Sequence, residues 1–437
     1  MPFIPSYFHR HRRKLAAAIG VAAVAYYAYS RVKLKFFEVG SQFSTNLTNR
    51  ENLRRRFEQN QQDAAFTVAA LLSSMTDPIL SGLPVEEVTD ELQAKRGPLA
   101  QPSHGLGQSG DAANLETTSI LSSSTLTTAD GAQLLQPTRT KKQLWNDLKI
   151  MAITRAVALI YAIALLIFFT RMQLNMLGRQ NYIKSVKAMT EGGDLQDELH
   201  QGASEDQVMQ NEVNRKFLTF SWWLLTQGRI KIVSNVREAT ERVFESLTPR
   251  TELGFGDLER LILRIRELVD AKNEDYLEIL LPTTKDGEEL VRSNNLSPLH
   301  EFHSSPIREQ AMAPLLRALL EESKDLIESP NANRVISSLV SEGFQLLMKG
   351  LQTKYFPRTY ESPQGEYDQN NVQFEDEEKK VRLANILAGI TQQSQEMVVV
   401  SQVANPYLSA MNCLSELTNF SAIVYSNIQA NWRSTAE

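Results

Sequence analysis

Three groups of residues in this 437-residue chain have types and spacings that could do chemistry. Gly105-Leu106-Gly107-Gln108-Ser109-Gly110 fits G-x-G-x-x-G, whose backbone N–H groups hold pyrophosphate when a strand precedes it and a helix follows. Here it lies in a Ser/Thr-rich stretch behind Pro102, which argues against nucleotide binding. His300 and His303 are spaced to put two imidazoles on one helical face for a metal. Pro298 and Pro306 flank them, however, and no third ligand stands nearby. Cys413 is the single cysteine, which excludes an internal disulfide and a cysteine-based zinc site. Its apolar, helical surroundings lead us to expect an inert buried thiol. No G-x-S-x-G, P-loop or H-E-x-x-H occurs, so no catalytic residue, metal ligand or cofactor is assigned.

A fourth group could bind rather than react. Trp145, Leu148 and Lys149 are spaced i, i+3, i+4 and therefore share one helical face. They precede a long apolar run, which sets them near the end of a bundle. A Trp and a cation around an apolar groove suit an incoming amphipathic helix, with the ring as anchor and the ammonium paired to an acid. On spacing alone, a Trp that is simply core is the preferred reading. Trp222-Trp223 reads the same way, with one ring in the core and one at the surface.

The elements that must position these residues are helical. Apolar residues make up 42% and charged residues 22%, an ordinary globular composition that rules out a largely disordered chain. Leu53, Phe57, Ala64, Val68, Leu71 and Leu72 fall near one stripe within 41–80. Ile230, Val233, Val236, Val243, Phe244 and Leu247 form another, stopped by Pro249. Leu258 to Val269 follow helical spacing behind Asp257 as N-cap. Val335 to Met348, Leu383 to Ile390 and Leu414 to Ile428 give three more stripes. Long polar stretches at 97–136, 191–206 and 361–378 separate them, and no period-two strand pattern stands out. The fold class is all-α, an elongated bundle.

Its centre is Leu144 to Leu177. Ala156 to Phe169 are fourteen uncharged apolar residues between Arg155 and Arg171. Fourteen residues are few for a membrane span, and a helix apolar all round suits the middle of a bundle. A two-span membrane protein remains the competing reading, and glycan on the sequons at Asn295 or Asn419 would favour it.

The charge is uneven. Residues 1–56 hold eleven Lys/Arg and two acids, a net of +9, so the rest sum to −14 within a total of −5. A basic cluster, with Arg10, Arg12, Arg13 and Lys14, leads into Leu15 to Tyr29 without a charge. As a helix, Leu15 to Ser30 rises about 24 Å against a hydrocarbon core of roughly 30 Å. Val32, Leu34, Phe36 and Phe37 extend it while the interleaved lysines snorkel. A membrane anchor over 15–37 is the reading preferred to a soluble helix or a signal peptide, and flanking charge does not orient it.

Several segments, in order, resemble one family. They are the basic cluster with its apolar run, Arg55-Arg56-Phe57-Glu58-Gln59-Asn60-Gln61, Leu144-Trp145-Asn146-Asp147-Leu148-Lys149-Ile150, Arg171-Met172-Gln173-Leu174-Asn175, Asp257-Leu258-Glu259 and Glu328-Ser329-Pro330. The sequence resembles peroxisomal biogenesis factor 3, in a fungal form. The resemblance implies a single-pass protein of the peroxisomal membrane, present also in the endoplasmic reticulum during biogenesis, with an all-helical body (41–437) in the cytosol. It implies docking of the soluble import receptor, peroxisomal biogenesis factor 19, through that receptor's N-terminal amphipathic helix. Trp145, Leu148 and Lys149, with Leu144 beside them, are the docking residues it implies. Arg10, Arg12, Arg13 and Lys14 look like its membrane-targeting signal, with lipids as partner, and inheritance and turnover factors are further implied partners. Nothing points to nucleic acid. The runner-up function is a membrane-anchored enzyme whose catalytic residues are not visible in sequence, which a deep cleft with a perturbed His or carboxylate would favour.

Overall fold

The computed structural model describes residues 47–95, 139–190, 205–272, 276–294, 306–357, 379–400 and 404–427. The anchor at 15–37, the basic cluster, the glycine motif, the stretch 97–136 and all six histidines lie outside these residues. So do the loops at 191–204 and 361–378, the sequon at Asn295 and Ile428.

Fourteen helices and one pair of two-residue strands are described. They run α1 (Leu47–Gly82), α2 (Val85–Ala94), α3 (Lys141–Thr190), α4 (Glu205–Leu218), α5 (Ser221–Trp223), a π-turn (Leu224–Gly228) and α6 (Arg229–Phe244). Then come β1 (Glu252–Leu253), α7 (Phe255–Lys272), α8 (Leu277–Leu280), α9 (Lys285–Asn294), α10 (Pro306–Glu328) and α11 (Pro330–Tyr355). The order closes with β2 (Val381–Arg382), α12 (Leu383–Met397), α13 (Pro406–Asn412) and α14 (Ser415–Ser426). The all-α expectation holds, with the β1–β2 pair as its only addition among the described residues.

The described residues fall into two compact units, one within Val85–Leu148 and the other before and after it. In the larger unit, the apolar run of α3 is core: Ala156 to Phe169 all lie at 1% exposure or less. By length and composition Glu51–Ala94 and Lys141–Val186 could each cross a membrane, but 94% of the second stretch's apolar window is buried inside the fold. Burial against protein on every side satisfies this helix without lipid, as an all-round apolar pattern requires. Around it, α6 packs on α7, α10 on α4, and α11 against α12, α13 and α14. The rings of Phe168 and Phe420 lie 5.2 Å apart, and Tyr161 meets Phe344 edge-on.

The arginines that flank this run are themselves buried. Arg155 and Arg179 are fully buried and Arg171 is 5% exposed. Arg179 donates to both carboxylate oxygens of Glu322 at 2.5 and 2.6 Å and to the Val424 carbonyl at 3.1 Å, tying α3 to α10 and α14. Arg171 donates to Gln61 and, at 3.2 Å, to the Asn412 side chain, and burial pulls its guanidinium down to about 10.

Several local expectations shift by a few residues. Asp257 is not an N-cap. Helix α7 opens at Phe255, and Asp257 sits in its first turn, where Oδ2 accepts from the Gly254 N–H at 3.3 Å. That is the return half of a capping box. Helix α6 buries Ile232, Val236, Ala239 and Phe244, whereas Ile230 is 43% exposed. Its buried face is centred one position over from the apolar stripe and takes in the polar Asn235 and Thr240.

Candidate functional site

The head of α3 begins at a built cap. Thr140 Oγ1 accepts from the Gln143 N–H at 3.3 Å, and Gln143 Oε1 accepts from the Thr140 N–H at 2.8 Å. This reciprocal pair offsets Lys141 and Lys142, two cations at the positive end of the helix dipole. Our sequence reading missed Thr140 and Gln143, although T-x-x-Q ahead of an apolar run is a legible signature. Arg139 lies 3.6 Å from Asp147, and Lys95 donates to the Arg139 carbonyl, closing the small unit around this turn.

The cap fixes where the candidate side chains emerge. Leu144 is fully buried and Leu148 is 8% exposed, while Trp145 between them is half-buried. Among the described residues, Val85, Val88 and Leu92 of α2 supply the small unit's other buried apolar side chains. A half-exposed indole flanked by aliphatic core is an arrangement that can accept further apolar surface.

Lys149 stands differently. It is 2% exposed, and its ammonium donates to the carbonyls of Phe244 at 2.6 Å and Leu247 at 2.8 Å. Those carbonyls close α6, where orphan acceptors and the negative end of the dipole favour a cation. Burial lowers the ammonium's pKa, with nearby Glu245 opposing the shift. In this structure Lys149 therefore serves the fold from within and does not present its charge to solvent.

The other residues singled out in the sequence separate into fold and surface. Trp222 is 8% exposed, and half-buried Trp223 donates from Nε1 to the Glu278 carbonyl at 3.1 Å. Cys413 is exposed, contrary to the buried thiol expected. It falls in the break between α13 and α14, where its N–H closes on the Ala410 carbonyl, so the apolar stripe passes it by. Asn419 is exposed on α14. Among carboxylates, Lys272 holds Glu238 low and Lys231 holds Glu278 low, both at the surface.

Two of the resemblance segments meet in the larger unit. Asn60 Nδ2 and Gln61 Nε2 both donate to Asn175 Oδ1, at 2.9 and 2.7 Å, and Arg171 donates back to Gln61. Arg56 donates to Ser185 at 2.7 Å. The 55–61 and 171–175 segments are thus the two sides of one buried polar network joining α1 to α3.

The pattern of the Peroxin-3 family matches residues 6–427. The chain is 38% identical to the peroxisomal biogenesis factor 3 of Yarrowia lipolytica, over 96% of this chain and 98% of that protein. It is 27% identical to the peroxisomal membrane protein PEX3 of Komagataella phaffii, over 96% and 97% of the two chains. It is also 27% identical to peroxisomal biogenesis factor 3 of Debaryomyces hansenii, over 97% and 98%. Those relatives are named as biogenesis factors and membrane proteins, not as enzymes. The match takes in every described element, from the α1 network through the head of α3 to α14, and the chain belongs to the Peroxin-3 family.

Proposed function

We propose that this chain is a non-catalytic peroxisomal membrane protein of peroxisome biogenesis, and that the head of α3 docks the soluble receptor carrying newly made membrane proteins. Family membership supports the membrane and the biogenesis role. The observation that carries the docking site is Trp145, half-buried on a capped helix start between two buried leucines. In this reading the receptor's N-terminal amphipathic helix lays its apolar face over the indole. Affinity comes from aromatic and aliphatic area, and release of the receptor lets its cargo enter the bilayer. Leu144 and Leu148 shape the floor. Lys149 acts beneath it as a positioning residue, holding the helix against the end of α6. The segment 15–37 anchors the chain, Arg10, Arg12, Arg13 and Lys14 target it, and the body faces the cytosol.

Calorimetric titration of the full chain in neutral detergent with the receptor's N-terminal peptide tests this. Trp145→Ala is expected to lose about 2–4 kcal/mol of binding while far-UV circular dichroism stays unchanged. Equal affinity in the two proteins removes Trp145 from the site. A loss that tracks lost helicity returns the ring to the core.

A further inference from the structure

The body of this protein is acidic, yet one concavity on it is not. In β1 and β2 Glu252 pairs opposite Arg382, and the ribbon runs between the end of α11 and the start of α12. Beside it lies a cleft of about 390 Å³ whose lining includes Lys354, Lys379, Lys380, Arg382, Asn385 and Glu252. Among the described residues, four cations and one carboxylate line it, whereas residues 57–437 sum to −14.

Lys379 and Lys380 are exposed, and among the described residues neither joins an ion pair. Lys354 donates to the neutral Gln392 and stands 5.4 Å above the Tyr355 ring centre. Only Arg382 has an acidic partner, Glu252 at 3.6 Å, and both side chains are more than half exposed. Such a pair is worth little and exchanges readily for a stronger anion. The start of α12 lies in the same wall, and its dipole adds potential of the same sign.

We infer that this cleft binds a phosphate monoester, on a soluble metabolite or on a lipid headgroup. Such a group brings about −1.5 to −2 charges in one compact unit, which suits four converging cations. The volume falls in the range of small-ligand sites, roughly 300–1,000 Å³. An acidic peptide fits less well. Strands two residues long offer no ladder on which an extended chain could add. Among the described lining residues the apolar contribution is Val381, itself 9% exposed, and the half-buried Tyr355 ring, against four cations.

Titration of the full chain in neutral detergent with glycerol phosphate, short-chain phosphatidic acid and short-chain phosphatidylcholine tests the inference. The full chain is the right sample because Glu375 to Glu378 precede Lys379 in sequence and compete for its charge. Saturable binding of the two monoesters, absent with phosphatidylcholine and weakened by salt, is expected. Equal affinity for both identifies a soluble ester, and binding of phosphatidic acid alone identifies a headgroup. Lys379→Ala with Lys380→Ala should weaken binding about 25-fold, at about fivefold per lysine. Glu252→Gln should tighten it, which no structural role of these exposed residues would produce. Thermal melting of the variants should match wild type. Failure of both monoesters to bind saturably, or binding indifferent to both sets of substitutions, overturns the site.

Discussion

Lys149 carries its charge at 2% exposure, with its ammonium on the carbonyls of Phe244 and Leu247. Lys149→Met keeps most of the apolar stem but removes the ammonium from the Leu247 carbonyl and leaves the Phe244 carbonyl only the Leu247 N–H, at a cost of about 1–3 kcal/mol. Denaturant unfolding should show that loss, and a Lys149 that served only an incoming partner would show none. The pH dependence has a definite sign. Burial holds the folded pKa below the model-peptide value of 10.5, so between the two values the unfolded chain binds more protons than the folded one. Lys149's contribution to stability therefore rises with pH across that window, and Lys149→Met should remove the rise. Arg179 is the stronger case. It is fully buried on Glu322, and Arg179→Met would leave that carboxylate unpaired beneath α10. The expected loss is about 3–5 kcal/mol, whereas breaking the exposed Arg237–Glu241 pair of α6 should cost about 0.5 kcal/mol at most.

At the scale of elements, Gly228 decides how α6 is presented. A Cβ added there would stand 2.2 Å from the Ile279 carbonyl oxygen, because the π-turn passes directly against the backbone of α8. Helix propensity alone favours Gly228→Ala by about 1 kcal/mol, and the clash with main chain opposes it. Main chain yields less than a side-chain tip, so the clash wins. The variant should be destabilised by about 1–3 kcal/mol in denaturant melts. A neutral or stabilised Gly228→Ala would mean that α8 moves freely. Such features explain what was legible in the sequence. The stripes of α11 and α12 were read correctly because their faces are apolar and uninterrupted. The face of α6 was misjudged because its buried side includes Asn235 and Thr240. Of the described segments that carried the family resemblance, most prove to be folding devices. Arg55–Gln61 and Arg171–Asn175 form the buried network, Asp257 accepts from the Gly254 N–H at the start of α7, and Ser329 caps α11 through the Ala332 N–H. Leu144–Ile150 and Arg55–Gln61 each also leave a ring half-buried, Trp145 in the first and Phe57 in the second.

At the scale of the whole molecule, the proposed function fixes which side of a membrane the body occupies, and the chain supplies its own reporter. Four Lys/Arg precede the charge-free run from Leu15 and three follow it closely, which gives no orientation, so topology needs a marker in the body. Cys413 is exposed between α13 and α14 and is the only cysteine, so a thiol reagent has one address. An exposed thiol of this kind is open to maleimides. In intact organelles a membrane-impermeant maleimide should therefore label the chain fully, and Cys413→Ser should abolish the signal. Labelling that appears only after detergent would place the body in a lumen and remove the docking proposal, since a soluble cytosolic receptor could not reach Trp145. The exposed Asn419 checks the same point by independent chemistry, because a lumenal body would offer that sequon to glycosylation. A glycosidase-sensitive mobility shift lost in Asn419→Gln would agree with maleimide exclusion, and its absence together with full labelling would set α3's head, the phosphate cleft and the receptor in one compartment.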